Sequence, residues 1–386
     1  MAEIYCRHFN GYKPCTKNVN CNESCPSRSI VTERILIVHL EALGAVLRST
    51  SLLAAVKRKY PGCHITWVTK APAHALLHNT VDRVLTTGSE DLLKLSALEF
   101  DVGLVVDKSL AAAGVLKHTK VKQTFGFTVD KKIGAVVPAN PEALELWRLG
   151  LSDQKKFFEN EKSEQRLVHE SLALGPYCRD EYVIHLSPEE QELALVRHEL
   201  WGGLSAPIIG INTGCSPTLP HKKLSVDGHR RLIFRILQSP LLRKCPIVLL
   251  GGPEDLERNE AIAKDLSVIQ SPVQRGLRDG LASMAAVDVV FSGDSLGMHM
   301  AIGLKKWTVA WFGPSCEQEI DLYDRGEKIL TQAPCSPCWK RVCDKPVMCY
   351  DQVDFKQAIV ALEKGIEWLT LSSKQPFREI SSSLSP

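Results

Sequence analysis

The sequence predicts an α/β protein built from two Rossmann-like, doubly wound domains. Two observations support this prediction. Short apolar runs alternate with helical stretches along most of the 386 residues, a pattern typical of parallel sheets with helices on both faces. The alternation begins a second time near residue 186, and the chain is long enough for two domains of ordinary size. A polar, Cys-rich arm over residues 1–32 precedes both domains.

The first domain is predicted over residues 33–185. It opens with ILIVHLEALGAVLRSTSLL, a pattern of strand, glycine turn and helix, and Pro61-Gly62 ends the helical stretch that follows. Apolar runs predict strands at 35–40, 64–69, 83–85, 102–106 and 124–127.

The second domain is predicted over residues 186–371. A charged helix at 187–200, capped by Ser187, connects it to the first domain. Apolar runs predict strands at 207–212, 246–252, 266–269, 287–295 and 307–313. The Ser-rich stretch 372–386 is predicted to be a polar tail.

Composition excludes several classes of protein. The 47 basic and 44 acidic residues give a net charge of +3, so charge offers little reason to propose a nucleic-acid binder. No run approaches the roughly 20 apolar residues of a membrane-spanning helix. The first residues lack the basic-then-apolar order of a signal peptide. We therefore expect a cytoplasmic protein, whose grouped thiols are more often metal ligands than disulfides.

Two loops that follow predicted strands have the composition of an anion site. TGCSPTLPHKKL follows the strand at 207–212, and DSLGMHM follows the strand at 287–293. Ser295 would cap a helix whose free amides, with Lys222, would bind a diphosphate. Those amides belong to Gly297, Met298 and His299. The alternatives are that the glycines serve only close packing, that the lysines are solvated, and that Asp294 is an ordinary helix cap.

Four segments in order carry a resemblance to a known family: ILIVHLEALGAVLRSTSLL, GINTGCSPTLPHKKLSVDGHRRL, IVLLGGPEDLERN and FSGDSLGMHMAIGLKKWTVAWFGPS. Over residues 34–365 the chain resembles the ADP-heptose:lipopolysaccharide heptosyltransferases of glycosyltransferase family nine. The resemblance implies a GT-B fold, with two Rossmann-like domains facing a cleft and no catalytic metal.

The resemblance also implies roles for particular residues. Lys222 would contact the donor phosphates, and Glu254 or Asp255 would lie near the nucleoside. Thr213 and Gly214 belong to the phosphate-side loop. The motif that would cradle the diphosphate comprises Asp294, Ser295, Gly297, Met298 and His299.

The implied reaction is inverting transfer of a heptose-type sugar, with ADP-heptose as the expected donor. The implied acceptor is lipopolysaccharide or another glycan or lipid-linked molecule. The enzyme would work at the cytoplasmic face of the inner membrane, and Lys131-Lys132 or the basic run 57–59 could give peripheral contact. Both basic runs are more simply explained as solvated faces.

The first turn departs from the family pattern. Family members usually have Leu-Gly-Asp there, with the Asp as presumed base, whereas this chain has Ala45. A positioned general base contributes roughly 10²- to 10⁴-fold. We hypothesise that Glu41 replaces it, although Glu41 could simply complement the helix dipole, and His39 could be packed at the strand end.

The missing Asp leaves a second function open. The chain could be a catalytically impaired relative that binds a nucleotide sugar, or a scaffold protein. A dinucleotide oxidoreductase is a poor alternative, because the first turn lacks the G-x-G-x-x-G pattern.

Two groups of cysteines predict structural metal sites. Cys335, Cys338, Cys343 and Cys349 have the spacing C-x2-C-x4-C-x5-C, which could surround one tetrahedral ion. Zinc is the default, while iron or an iron–sulfur cluster stays open; some related transferases bind iron in such a loop. The arm contains a second set of irregular spacing, Cys6, Cys15, Cys21 and Cys25, with His8 as a substitute ligand. Free thiols are the alternative for both sets, and the two sets could also form a single site.

Overall fold

The computed structural model describes residues 5–9 and 11–373. Its core consists of two six-stranded sheets, one in each half of the chain. The central strands are largely buried, because helices cover both faces of each sheet. The predicted fold class is therefore confirmed.

The first half has the strand order β3-β2-β1-β4-β5-β6. Its strands are β1 (Arg34–Val38), β2 (His64–Thr69), β3 (Arg83–Thr86), β4 (Glu99–Val105), β5 (Lys120–Asp130) and β6 (Ala135–Pro138). Its helices are α1 (Leu43–Ser49), α2 (Leu52–Lys59), α3 (Ala71–His74), α4 (Ser89–Ser96), α5 (Leu110–Val115), α6 (Leu144–Leu149) and α7 (Glu164–Ser171).

The second half has the strand order β12-β11-β10-β7-β8-β9. Its strands are β7 (Ile209–Asn212), β8 (Ile247–Leu250), β9 (Ile269–Gln270), β10 (Val289–Gly293), β11 (Trp307–Phe312) and β12 (Gly326–Leu330). Its helices are α8 (Pro188–Leu200), α9 (Val226–Gln238), α10 (Leu256–Ala263), α11 (Leu277–Ala285), α12 (Leu296–Gly303) and α13 (Phe355–Ser373).

The structure differs from the sequence prediction in three places. Strand β6 is antiparallel to β5, and neither β6 nor β12 was predicted, because β6 is only four residues long and β12 is only partly apolar. The first long helix is divided into α1 and α2, because the hydroxyl groups of Thr50 and Ser51 donate to the carbonyl oxygens of Leu47 and Arg48. Residues 374–386 of the predicted polar tail lie outside the described residues.

Helix α8 begins as the sequence predicted. The Ser187 hydroxyl accepts a hydrogen bond from the Glu190 amide, and the Glu190 carboxylate accepts one from the Ser187 amide. The Arg197 guanidinium forms an ion pair of 2.8 Å with Asp279 at the start of α11. The connecting helix is therefore packed on the second half of the chain.

The order of the strands determines where loops can form a site. In each sheet the connections change direction at one point, between β1 and β4 in the first and between β7 and β10 in the second. Ligands of open parallel sheets bind beyond the carboxyl ends of the strands at such a point. The loops after β1, β4, β7 and β10 are therefore the expected walls of a site.

Candidate functional site

The loops after β7 and β10 are joined through one buried amide side chain. Asn212, the last residue of β7, donates to the hydroxyl oxygens of Ser292 (3.0 Å) and Ser295 (2.9 Å). Gly297, in the first turn of α12, lies so close that a β-carbon there would be 2.5 Å from the Asn212 side chain. The start of α12 is thus fixed directly over the end of β7.

Lys222 and Asp294 form an ion pair in this corner. The Lys222 ammonium lies 2.8 Å from the Asp294 carboxylate, and the two side chains are only 15% and 11% exposed. Burial alone would raise the pKa of Asp294, but Lys222 and His299 lower it to about 2, so the carboxylate is ionised at neutral pH. The alternative of solvated lysines does not fit Lys222, nor Lys223, which lies 3.4 Å from the buried Asp255 carboxylate.

His299 connects the two halves of the chain. Its Nε2 lies 3.9 Å from the Asp294 carboxylate, and its Nδ1 is 3.2 Å from the Tyr182 hydroxyl. Gly44, at the start of α1, packs against the imidazole so closely that a β-carbon would overlap it. Burial, and then the charge of Arg48, lower the pKa of His299 to about 3, which leaves a neutral ring. The amino ends of α1 and α12 therefore meet at this histidine.

Two details of the predicted anion site are different in the structure. Ser295 occupies the cap position of α12, but its side chain forms no cap hydrogen bond and instead accepts from Asn212. The His299 amide is not free, because it donates to the Ser295 carbonyl oxygen at 3.3 Å. The amides available to an anion are therefore those nearer the start of the helix, at Gly297 and Met298.

Thr213 and Gly214 have packing contacts in the described structure. The Thr213 hydroxyl is buried, 2.5 Å from the Asn259 side-chain oxygen, and Gly214 leaves room for the Asp255 carboxylate. Asp255 is buried and accepts from the Gly252 amide at 3.0 Å, whereas Glu254 is exposed. Of the two acidic residues, only Glu254 is free to reach a ligand in solvent.

Glu41, in the loop after β1, is largely exposed to solvent. Its carboxylate pairs with Lys70 at 2.7 Å, and its side chain is 63% exposed. Ala45 lies in the first turn of α1, next to the glycine that contacts His299. His39 is buried at the end of the strand, and burial followed by the charge of Arg48 lowers its pKa to about 3. A neutral His39 of this kind is a poor proton acceptor at neutral pH.

A cluster of charged side chains lines the contact between the halves, and we call it the cleft cluster: Arg48, Lys108, Lys156, Glu164 and Glu319. Arg48 pairs with Glu164 at 2.5 Å, and Lys156 lies 3.6 Å from Glu319. Glu319 comes from the loop after β11, while the other four come from the first half. The cleft cluster thus depends on both domains.

The two glutamates of the cleft cluster differ in protonation. Burial would raise the pKa of Glu164, but Arg48 and Lys108 lower it overall, so Glu164 is ionised. Burial, and then the negative charge of Glu164, raise the pKa of Glu319 to about 7. Glu319 is therefore a carboxyl group that can gain or lose a proton near neutral pH.

Asp107 is a further carboxyl group at the switch point of the first sheet. It follows β4 and accepts a hydrogen bond from the backbone amide of Leu40 in the neighbouring loop. Burial raises its pKa to about 6, because the hydrogen bonds from Leu40 and Glu41 only partly offset the loss of solvent. Asp107 therefore holds the β1 loop in place and also titrates within reach of neutral pH.

Neither Asp107 nor the residues of the cleft cluster were predicted from the sequence. Asp107 and Lys108 follow a predicted strand, so the rule that sites lie after strands could have identified them. Nothing in the local sequence distinguishes Arg48, Glu164 or Glu319, because their partners are distant in the chain.

The C-terminal cysteines border the same corner. Cys335, Cys338, Cys343 and Cys349 line one pocket with His221 and Pro314. Trp339, in this Cys-rich loop, lies under two ammonium groups. Those of Lys156 and Lys222 are 4.4 Å and 5.3 Å from the centre of its ring. Burial raises the pKa of Cys349 to about 11, so this thiol is protonated as placed. The loop contributes an aromatic wall to the site.

The thiol donor set suits zinc or iron in its chemistry, since both metals accept thiolate ligands. None of the cysteines forms a disulfide. Within residues 5–9 and 11–373, however, no three Cys, His, Asp or Glu side chains form a group that could hold a metal ion. The cysteines therefore share pockets without forming a metal site as placed. The same ranges contain no helix long and apolar enough to cross a membrane.

Comparison with known proteins identifies a family. Residues 93–348 match the model of glycosyltransferase family 9 (heptosyltransferase). Comparison with curated proteins finds no match. Among solved structures, the chain is similar to a family 9 glycosyl transferase from Veillonella parvula, with 17% identity, a TM-score of 0.68, and coverage of 88% of this chain and 99% of that one.

Two further structures share the fold. E. coli ADP-heptose lps heptosyltransferase II has 17% identity and a TM-score of 0.60, covering 86% of this chain and 99% of that one. The dodecameric iron-containing heptosyltransferase TibC of enterotoxigenic E. coli, in complex with ADP-D-beta-D-heptose, has 12% identity and a TM-score of 0.55, covering 88% and 78%. At these identities the likeness shows the fold alone.

Proposed function

Because this chain belongs to glycosyltransferase family 9, the heptosyltransferase family, we propose that it transfers a heptose from ADP-heptose to a hydroxyl group of a lipopolysaccharide or another glycan acceptor. The observation that carries the proposal is the buried pair of Lys222 and Asp294 beside the start of α12, at the switch point of the second sheet. The amides of Gly297 and Met298 and the Lys222 ammonium would together face the diphosphate.

The proposed reaction is an inverting displacement. The acceptor oxygen forms a bond to the anomeric carbon while the bond from that carbon to the phosphate oxygen breaks, and the electron pair leaves with the diphosphate. Lys222 would stabilise the charge that develops on the leaving group. Asp294 and the neutral His299 would hold Lys222 and the amino end of α12 in position.

The proton of the acceptor hydroxyl must pass to a base. Glu41 is the base expected from the sequence, but it is exposed and paired with Lys70. Glu319 of the cleft cluster is a second base, because it lies at the contact between the domains and its pKa is about 7. We propose Glu319 as the stronger of the two, since a base acts best when its pKa is near the working pH.

Parallel substitution separates the two bases. Glu41→Gln and Glu319→Gln should both bind ADP as the wild type does, because neither side chain contacts Lys222 or Asp294. The variant that lacks the catalytic base should have a rate of transfer lowered by roughly 10²-fold or more. Full transfer by Glu319→Gln together with loss in Glu41→Gln would reverse the assignment, and loss in Asp107→Asn alone would exclude both.

A catalytically impaired, nucleotide-sugar-binding or scaffold protein is the second candidate function. The observation that favours it is Ala45, which leaves no carboxylate at the start of α1. Release of nucleoside diphosphate from ADP-, GDP- and UDP-sugars, with and without a glycan acceptor, distinguishes the two functions. Turnover of an ADP-sugar supports the transferase, whereas tight binding of donors without any turnover supports the second candidate.

Peripheral membrane contact is a proposal that rests on the hairpin between β5 and β6. Lys131 and Lys132 lie at its tip beside Ile133, which is 76% exposed, and the charge of Lys131 lowers the pKa of the neighbouring Lys117. Unpaired positive charge next to an apolar side chain suits an anionic lipid surface. The fraction of protein that sediments with phosphatidylglycerol vesicles should fall when both tip lysines are replaced by Glu. Equal fractions for the wild type and the variant would contradict the proposal.

A structural zinc or iron ion in the C-terminal Cys-rich loop is also proposed. Support comes from the four cysteines that share one pocket and from Trp339, which the loop places beneath two lysines of the site. A bound ion would fix the loop and hence Trp339. Elemental analysis of wild type and of Cys338→Ser tests it, and equal metal content in the two would contradict it.

A further inference from the structure

The N-terminal arm has no apolar core of its own. None of its described residues between 5 and 32 is buried, and Tyr12 and Val19 are 90% and 84% exposed. An isolated antiparallel bridge joins Cys6 to Ile30. Ordering a chain costs about 1–2 kcal/mol per residue in conformational entropy, and this arm buries little that could offset it. Some other interaction must hold the arm.

The cysteines of the arm come together although they are far apart in the sequence. Cys6, Cys15, Cys21 and Cys25 all line one pocket, together with His8. None of the four forms a disulfide. Residues 6 and 25 are at opposite ends of the arm, so a common pocket requires the chain between them to fold back on itself. An arm without a core has no packing reason to gather four thiols.

Hydrogen-bond donors already point at two of these sulfur atoms. The Asn18 side-chain amide lies 3.4 Å from the Cys25 Sγ, and the Ser29 backbone amide lies 3.5 Å from the Cys6 Sγ. Such N–H groups stabilise a thiolate, and outer partners of this kind orient the ligands of metal sites. Neither donor would be needed by a thiol that serves only as a small apolar group.

We propose that Cys6, Cys15, Cys21 and Cys25 bind one zinc or ferrous ion, separate from any ion in the C-terminal loop. Thiolates are the ligands that both ions accept, and four of them complete a tetrahedral shell. The sulfur atoms do not form such a group as placed, so the ion draws them together. The exposed and irregular arm can follow that movement because no core resists it.

The position of the arm makes this a structural site. Arg7, next to the first cysteine, reaches Asp82 (2.5 Å) and the carbonyl oxygens of Gly62 (3.0 Å) and Cys63 (2.6 Å). These residues precede β2 and β3, at the amino ends of the strands. The donor and cleft groups lie at the carboxyl ends of the strands. The ion therefore orders the arm at the opposite end of the sheet, away from the reaction.

The test uses the full-length protein, stripped with a chelator and reloaded with Co²⁺ alone as an optical probe. Wild type is compared with an arm variant, Cys6→Ser/Cys25→Ser, and with a matched loop variant, Cys335→Ser/Cys338→Ser. The loop variant should keep a tetrahedral thiolate–cobalt spectrum, and further substitution of the arm cysteines should abolish it. Binding of ADP by the arm variant, unchanged from wild type, shows that the two domains remain folded.

Limited proteolysis gives the second measurement. Reloading with Zn²⁺ should lower the rate at which protease cleaves the wild-type arm by tenfold or more. It should not change the rate of cleavage in the arm variant. A loop variant without any cobalt spectrum would overturn the proposal. Disulfide-linked arm peptides in freshly purified protein, or acid-labile sulfide that disappears in the arm variant, would also overturn it.

Discussion

Replacing Lys222 by Met should weaken both the folded state and the binding of the donor. The ammonium lies 2.8 Å from the Asp294 carboxylate, and both side chains are nearly buried. Methionine has a similar length and fills the same volume without charge. Asp294 then keeps its negative charge in a buried place and loses its main cation, which is a costly arrangement.

The size of the effect follows from the pKa of Asp294. Lys222 and His299 overcome the effect of burial and lower that pKa from its ordinary value of 3.8 to about 2. Each unit of such a shift corresponds to about 1.36 kcal/mol, so the interactions contribute about 2 kcal/mol at neutral pH. Because the folded pKa is the lower one, this stability is present above pH 3.8 and is lost as the pH falls towards 2.

Urea unfolding at neutral pH measures the first effect. Lys222→Met should lose about 2 kcal/mol, and adding Asp294→Asn should recover most of the loss, because the buried charge is removed as well. Lys364→Met is the matched control: its ion pair with Glu327 is 52% and 39% exposed, so it should cost less than about 1 kcal/mol. Equal losses in the Lys222 and Lys364 variants would refute the argument.

Calorimetric titration with ADP measures the second effect. A hydrogen bond to a charged group is worth about 1.5–3 kcal/mol, so Lys222→Met should raise the Kd for ADP by roughly 10- to 100-fold. Asp294→Asn should not restore that affinity, because the missing group is the cation. Wild-type affinity in Lys222→Met would show that the diphosphate binds elsewhere.

Three further predictions concern Gly44, Glu319 and Glu41. Gly44→Ala should cost about 1–3 kcal/mol in stability and lower transfer, because its methyl group would overlap the His299 ring; Gly280→Ala, which has open space, is the control in the same unfolding assay. Glu319→Gln should stabilise the protein at pH 8 but not at pH 4. The folded-state pKa of Glu319 is raised to about 7, so the wild-type protein loses stability as the pH rises through that value and the carboxyl ionises. Urea unfolding at the two pH values measures the difference. Glu41→Gln should change stability by less than about 1 kcal/mol, because its ion pair is exposed, and a larger loss in urea would contradict that estimate.

The sequence was sufficient to predict the class of fold. Buried parallel strands are continuous apolar runs, and the loops after them are short and polar, so β2, β7 and β11 could be recognised without any knowledge of their neighbours. The motif with Asp294 lies directly after β10, and Lys222 lies in the loop that follows β7, so both could be related to a predicted strand. Strands β6 and β12 could not be recognised, since β6 is only four residues long and β12 is only partly apolar.

The partners of the charged residues were decided by tertiary structure alone. Glu41 was proposed as a base from its position near the first turn, and its ion pair with Lys70 was not foreseen. Glu319 gave no signal in the sequence, because its pKa depends on burial and on Glu164, a residue in the other domain. Local patterns specify strands, helices and their loops, because those depend on neighbours in the chain. Which side chains share a cleft, and which of them keep a proton there, depends on how the two domains pack.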